Sequence, residues 1–264
     1  MLRYMHRIPK NHPRYVSLVI RDRMVSGLER GLAVPQGLLA HGRGEAFDYL
    51  IGERTQPEAR AAIRAAAASL LVAKRPVISV NGNAASLVAK EMVQLARAIP
   101  GAVLEVNLFH RTEKRAAKIA SELKRSGAVN VLGPNPDSRL DGLTSPRGKC
   151  FRNGMFGADV VFVPLEDGDR ATALKKAGKL VIAIDLNPLS RTARAAGITI
   201  VDNIVRALPA LVKEARSLRK MARRKLERLA RSFDNDANLK KAVERMLGRL
   251  RLLARGSRPL ALGR

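Results

Sequence analysis

Between Pro76 and Val201, short β-branched apolar runs alternate with amphipathic segments, and this alternation restricts the fold more than any other feature. The runs are Pro76 to Val80, Ala102 to Phe109, Val129 to Leu132, Asp159 to Leu165, Leu180 to Leu186 and Ile198 to Val201. Ala84 to Ala98, Thr112 to Ser126, Arg170 to Ala177 and Leu189 to Ala196 lie among them with helix-like spacing. A strand that is apolar at successive residues must be covered on both faces, and intervening helices supply that cover. The pattern predicts an α/β fold, a Rossmann-like three-layer unit with a mostly parallel sheet.

Helical spacing also marks Tyr15 to Gly31, Pro35 to Ile51 and Pro57 to Ala73, and the stretch Ile204 to Arg255 with a break around Phe233 to Asn238. The expected organisation is one α/β domain over 1–264. It comprises a helical N-terminal part (1–75), a Rossmann-like core (76–203) and basic C-terminal helices (204–264). Ala61 to Ala73, among the most apolar stretches, is interrupted by Arg64 and falls short of the roughly 20 residues a membrane-spanning helix needs. The single cysteine, Cys150, asks for no oxidising compartment, so the cytoplasm is the expected location. The first twenty residues are basic and acid-free, as in a presequence, but Pro9 and Pro13 suit an amphipathic helix poorly.

Lys and Arg number 49 against 23 Asp and Glu, a net charge of +26. Much of the excess follows Arg206, in a series from Arg216 through Arg223 to Arg231 spaced like one exposed helix face. Weak electrostatic association with nucleic acid is therefore expected, and a nucleic-acid-binding protein using these helices is one alternative function. Against it stand an aromatic content of 3% and the lack of Trp, which leave few stacking platforms.

Open parallel sheets bind ligands beyond the carboxyl ends of their strands. There the chain reads Asn81-Gly82-Asn83, His110-Arg111, Glu166-Asp167-Gly168-Asp169-Arg170, Asp185-Leu186-Asn187 through Arg191, and Asp202-Asn203. Each group alone can cap a helix or turn a corner, but together they supply the amides, carboxylates and guanidinium groups of an anion site. No G-x-G-x-x-G occurs, which disfavours a nicotinamide enzyme. Gly142 to Cys150 fails as a P-loop, because five residues precede Gly148 and Cys150 stands where Ser or Thr would hold magnesium. The segment from His41 to Glu45 sets Arg43 between two glycines, so it reads either as a loop whose amides approach an anion or as a plain turn. Glu166, Asp167 and Asp169 are the candidate Mg2+ ligands, with a charged turn as the other reading. His6, His12, His41 and His110 lack zinc-ligand spacing. His110, like His41, can serve as an acid/base group or as a hydrogen-bonding residue.

Taken together, Ile8 to Lys10, His12 to Tyr15, Ala40 to Glu53, Val80 to Asn83, Pro164 to Arg170, Ile184 to Arg191 and Ile200 to Arg206 resemble archaeal phosphopantothenate synthetase, the 4-phosphopantoate:β-alanine ligase family. The resemblance weakens beyond about Ala207. It implies a homodimeric enzyme of coenzyme A biosynthesis that joins 4-phosphopantoate to β-alanine at the expense of ATP, releasing AMP and diphosphate. It also implies ATP contacts at Arg21, Arg43, Asp185, Leu186, Asn187, Arg191, Thr192, Asn203 and Ile204. Asn81, Asn83 and Arg111 are placed near 4-phosphopantoate from their adjacent strand ends, and Arg43, His110 and Arg111 are the candidate catalytic groups. A phosphotransferase on the same fold is the remaining alternative.

Overall fold

The computed structural model describes residues 8–143 and 146–256. Residues 1–7, His6 among them, residues 144–145 and the end of the basic C-terminal segment, 257–264, lie outside the described residues. Three helices come first: α1 (Tyr15–Glu29), α2 (Pro35–Ile51) and α3 (Pro57–Val72). Proline opens α2 and α3 at the first turn, where no backbone donor is lost, and left-handed Gly52 closes α2.

The sheet then builds from β1 (Pro76–Val80), β2 (Val103–Val106), β3 (Val131–Leu132), β6 (Val160–Pro164), β7 (Leu180–Ile184) and β8 (Ile198–Ile200). All pairs are parallel, in the order β3-β2-β1-β6-β7-β8. Counting only these six strands, the order is 3-2-1-4-5-6, the doubly wound arrangement of dinucleotide-binding folds. The alternation of apolar runs thus predicted the architecture, and its six runs contain the six strands.

Strand side chains divide between two cores. Ile78, Val80, Phe162, Ile182, Ile184 and Ile200 face α4 (Gly82–Ala98), α5 (Glu113–Arg125) and α8 (Ile204–Leu218), with α1 and α3 beyond. Val77, Val161, Val163, Val181 and Ala183 face α6 (Gly168–Lys176) and the segment carrying Leu140, Cys150 and Met155. A third cluster joins Ile51 of α2 and Ala193 of α7 (Arg191–Ala195) to Leu239, Ala242 and Met246 of α10 (Asn235–Ala254).

The structure departs from the sequence reading in two places. A two-stranded antiparallel ribbon, β4 (Ser138–Arg139) and β5 (Lys149–Cys150), stands between Leu132 and Asp159, where the apolar runs mark no strand. The basic series that suggested one helix face is split between α8 and α9 (Arg223–Arg231) by a turn after Leu218. No Gly or Pro marks that turn. It forms because Leu218 and Leu226 are both buried in the main core, where α9 folds back onto α3. Among the described residues, no helix is long and apolar enough to cross a membrane.

Candidate active site

The strand order reverses direction between β1 and β6, and parallel sheets open a crevice at such a switch point. Over the carboxyl ends of β6, β7 and β8 lies a cavity of about 440 Å3, closed from above by the Ala40–Phe47 face of α2. Its floor is the turn after β7. Asp185 accepts a hydrogen bond from the amide of Asn187 at 2.9 Å and another from the Ser190 hydroxyl. Ser190 in turn caps α7 by accepting from the Ala193 amide at 2.9 Å, and Asn187 Oδ1 accepts from Leu189. Burial pushes the Asp185 carboxyl up, against the hydrogen bonds from Ser190 and Asn187 and the charge of Arg43.

At the other wall Asn203 caps α8, its Oδ1 accepting from the Val205 amide, while its Nδ2 donates to Asp48 Oδ2 at 2.7 Å. The start of α8 adjoins the cavity through Asn203 and Ile204, while the amides of Val205, Arg206 and Ala207 are already donated to Asn203. Gly168 must be glycine: a Cβ there would stand 2.3 Å from Arg191 Cβ, where α6 and α7 meet beneath the cavity. The donors, the buried acid and the helix terminus suit a ribose and phosphates.

Most of the residues singled out in the sequence do meet here: Arg43, Asn83, Glu166, Asp167, Asp185, Leu186, Asn187, Arg191, Thr192, Asn203 and Ile204 line the cavity. The hydroxyl of Thr192 is engaged with the Glu166 carbonyl at 2.7 Å, so it orients α7 against the β6 turn. Asn83 Nδ2 donates to the Gly37 carbonyl and fastens α4 to α2. Ser190, Asp48 and Phe47 were not singled out. Ser190 alone had a local signal, since a Ser two residues after Pro188 and just before a helix is a natural cap.

Several expectations are corrected. Gly42, Arg43 and Gly44 sit inside α2, where backbone amides serve the helix, so no anion-binding loop forms and Arg43 acts through its side chain. Arg21 lies on α1 outside the cavity lining and donates to both carboxylate oxygens of Glu45, at 2.9 and 2.8 Å. Asn81 is a structural pin: its Oδ1 caps α4 and its Nδ2 donates to the Pro164 and Leu165 carbonyls. Arg111 is buried away from the cavity, donating to the carbonyls of Val106 and Gly133 and to Glu113, and so brackets the ends of β2 and β3. His110 stacks on Phe109 with ring centroids 4.5 Å apart and does not line the cavity.

The three acids proposed for magnesium are taken by arginines. Glu166 pairs with Arg170 at 3.2 Å, and Arg147 holds Asp167 at 2.7 Å and Asp169 at 2.5 Å. Among the described residues no group of three His, Cys, Asp or Glu side chains gathers to hold a metal. Cys150 is equally remote from chemistry, since burial, aided by Glu105, pushes its thiol up to about 12.

Residues 58–249 match the profile of the phosphopantothenate/pantothenate synthetase family. The chain belongs to that family. It is 54% identical over 253 residues to a protein of Thermococcus onnurineus named 4-phosphopantoate--beta-alanine ligase, covering 96% of this chain and 97% of that relative. A Thermococcus kodakarensis protein of the same name is 53% identical over 95% of this chain and 96% of its own length. A third, from Methanosarcina mazei, is 50% identical over 94% and 97%. The profile match takes in the β7 turn and the start of α8, while the α2 wall precedes it and lies within the 253 residues shared with the Thermococcus onnurineus relative.

Proposed function

We propose that the chain ligates 4-phosphopantoate to β-alanine with ATP, forming 4-phosphopantothenate, AMP and diphosphate on the way to coenzyme A, in the cytoplasm. The observation that carries this reading is the cavity at the sheet's switch point, with Asp185, Arg43 and the α8 terminus converging in a synthetase-family chain. A carboxylate is a poor acyl donor. Its oxygen attacks the α-phosphorus of ATP, diphosphate leaves, and the resulting acyl-adenylate is open to the amine, which forms the C–N bond as AMP departs with the C–O electron pair.

In this reading Asp185 accepts from ribose hydroxyls, and Arg43 and the α8 terminus at Ile204 face the phosphates, offsetting repulsion between ATP and a second anion. Magnesium enters with the nucleotide, coordinated by phosphate oxygens and water rather than by a cage of protein acids. Product analysis tests the reading: AMP must appear, and only when 4-phosphopantoate and β-alanine are both supplied. ADP as product favours a phosphotransferase and refutes the ligase.

Arg43→Ala is expected to lower kcat/KM for ATP at least about tenfold, because a charge-assisted phosphate contact contributes about 1.5–3 kcal/mol. Unchanged steady-state kinetics would remove Arg43 from the site. We also propose a homodimer formed through α10, where Leu247, Leu250 and Leu253 are exposed along one helix face. Leu250→Glu is then expected to shift the chain from dimer to monomer in sedimentation, and a dimer that persists places the interface elsewhere.

A further inference from the structure

A second cavity, of about 240 Å3, lies on the opposite side of α2, between that helix and the start of α1. His41, Glu45 and Asp48, spaced one helical turn apart, form its α2 wall, whereas Arg43, Gly44 and Phe47 face the nucleotide cavity. His41 and Asn203 belong to both linings, so the two cavities share a wall.

The charges of this cavity mostly cancel within the protein. Glu45 is held by Arg21 at 2.8 Å and by the Tyr49 hydroxyl. Asp48 is held by Arg206 and Asn203. Two groups of opposite sign are left over. The Glu53 carboxylate makes no hydrogen bond or ion pair among the described residues. Among the described residues, the Arg14 guanidinium pairs only with the already satisfied Glu45, at 3.8 Å. Glu53 also sits at φ +52, a left-handed backbone that costs a non-glycine residue energy and tends to persist where function needs it. Burial, followed by the charge of Asp48, raises its carboxyl against the charges of Arg206 and Arg249, and an ammonium group beside it would favour the anion.

One spare anion and one spare cation across a small cavity are complementary to a short zwitterion. The volume equals about eight waters at roughly 30 Å3 each, ample for an amino acid of six heavy atoms. We infer that this second cavity binds the amine substrate, with Glu53 toward its ammonium group and Arg14 toward its carboxylate, and presents the amine at the wall formed by His41 and Asn203. The inference rests on the ligase reading above. It gives the two half-reactions separate rooms: ATP and the acid on one side of α2, the amino acid on the other.

The test uses Glu53→Gln and Arg14→Ala in the full chain, with two assays. Exchange of labelled diphosphate into ATP, dependent on 4-phosphopantoate and run without β-alanine, reports adenylation and correct folding. Amide formation reports use of the amine. Each variant is expected to raise KM for β-alanine at least about tenfold, the loss of one charge-assisted contact, while exchange stays within about twofold of wild type. An unchanged KM for β-alanine, or exchange that falls in step with it, overturns the assignment. A wild-type chain that supports neither exchange nor AMP release refutes the ligase reading itself, whatever the variants do.

Discussion

Replacing Arg206 with alanine is expected to cost the fold about 3–5 kcal/mol at neutral pH, because it strips the shared cation from two buried carboxylates. Arg206 donates to Asp48 at 2.5 and 3.1 Å and to Asp202 at 2.6 and 3.0 Å. Asp48 is 5% exposed and Asp202 1%. Thr55 and the Asn203 amide complete the Asp202 shell, so one guanidinium joins α2, the loop before α3, the end of β8 and α8. Burial already pushes the Asp202 carboxyl up, and the charge of Arg206 is the main force opposing it.

Without Arg206 the Asp202 carboxyl moves further up, and the direction of the pH effect follows. An acid whose folded pKa is raised contributes stability that is fully present below its unfolded pKa and lost as pH rises through the folded one. The deficit of Arg206→Ala is therefore largest near pH 7–8 and shrinks toward about pH 4, as the raised Asp202 carboxyl takes up its proton. Urea titrations at both ends of that range check it. A deficit below about 1 kcal/mol at pH 7, or one independent of pH, would show that water or a rearranged side chain replaces the guanidinium. Because Asn203 is anchored on Asp48, loss of ATP affinity should accompany loss of stability.

The sheet was legible because burial of strands on both faces leaves its mark on every residue, and a run such as Val160–Pro164 admits few other readings. The cavity was legible for a related reason. Parallel sheets collect polar residues at one edge, so Asp185, Asn187 and Asn203 declared themselves by position. Arg111 and Asn81 share that position, yet their side chains are engaged with backbone carbonyls of neighbouring strand ends. Strand ends also need side chains to satisfy unpaired carbonyls, and sequence does not separate that demand from ligand binding. The acidic cluster carries the same ambiguity from the other side: Arg147, which pairs with Asp167 and Asp169, reaches them from a segment some twenty residues earlier. Arg43 was placed correctly in the cavity but for the wrong backbone reason. Its flanking glycines suggested a loop, while the apolar spacing over Pro35–Ile51 predicted the helix that forms. The second cavity was invisible, since Arg14 and Glu53 lie far apart in the chain and, although each falls in a segment that carries the family resemblance, nothing local pairs them.

Glu105→Ala is expected to cost about 3–5 kcal/mol for a reason unrelated to catalysis. Glu105 lies within the apolar run of β2, fully buried, and it accepts hydrogen bonds from Asn107 Nδ2 at 2.8 Å, the Phe151 amide at 3.3 Å and the Met155 amide at 2.6 Å. It thereby fastens the Phe151–Phe156 turn to the sheet, and the fit is close: a Cβ on Gly154 would stand 2.0 Å from Glu105 Oε2. Alanine leaves three buried donors without acceptors, at about 1–3 kcal/mol each before relaxation. Glutamine keeps one acceptor oxygen but turns an amide N–H2 toward one of the donors, so Glu105→Gln should fall between wild type and alanine. Burial raises the Glu105 carboxyl against these three hydrogen bonds, so its contribution is present below the unfolded pKa and declines as pH rises through the folded value. Glutamine does not titrate, and its deficit relative to wild type should therefore narrow with rising pH. Denaturant midpoints at acid and alkaline pH decide the matter. Glutamine less stable than alanine, or a gap that widens with pH, would mean that Glu105 is stabilised as the anion and that the three amides outweigh its burial.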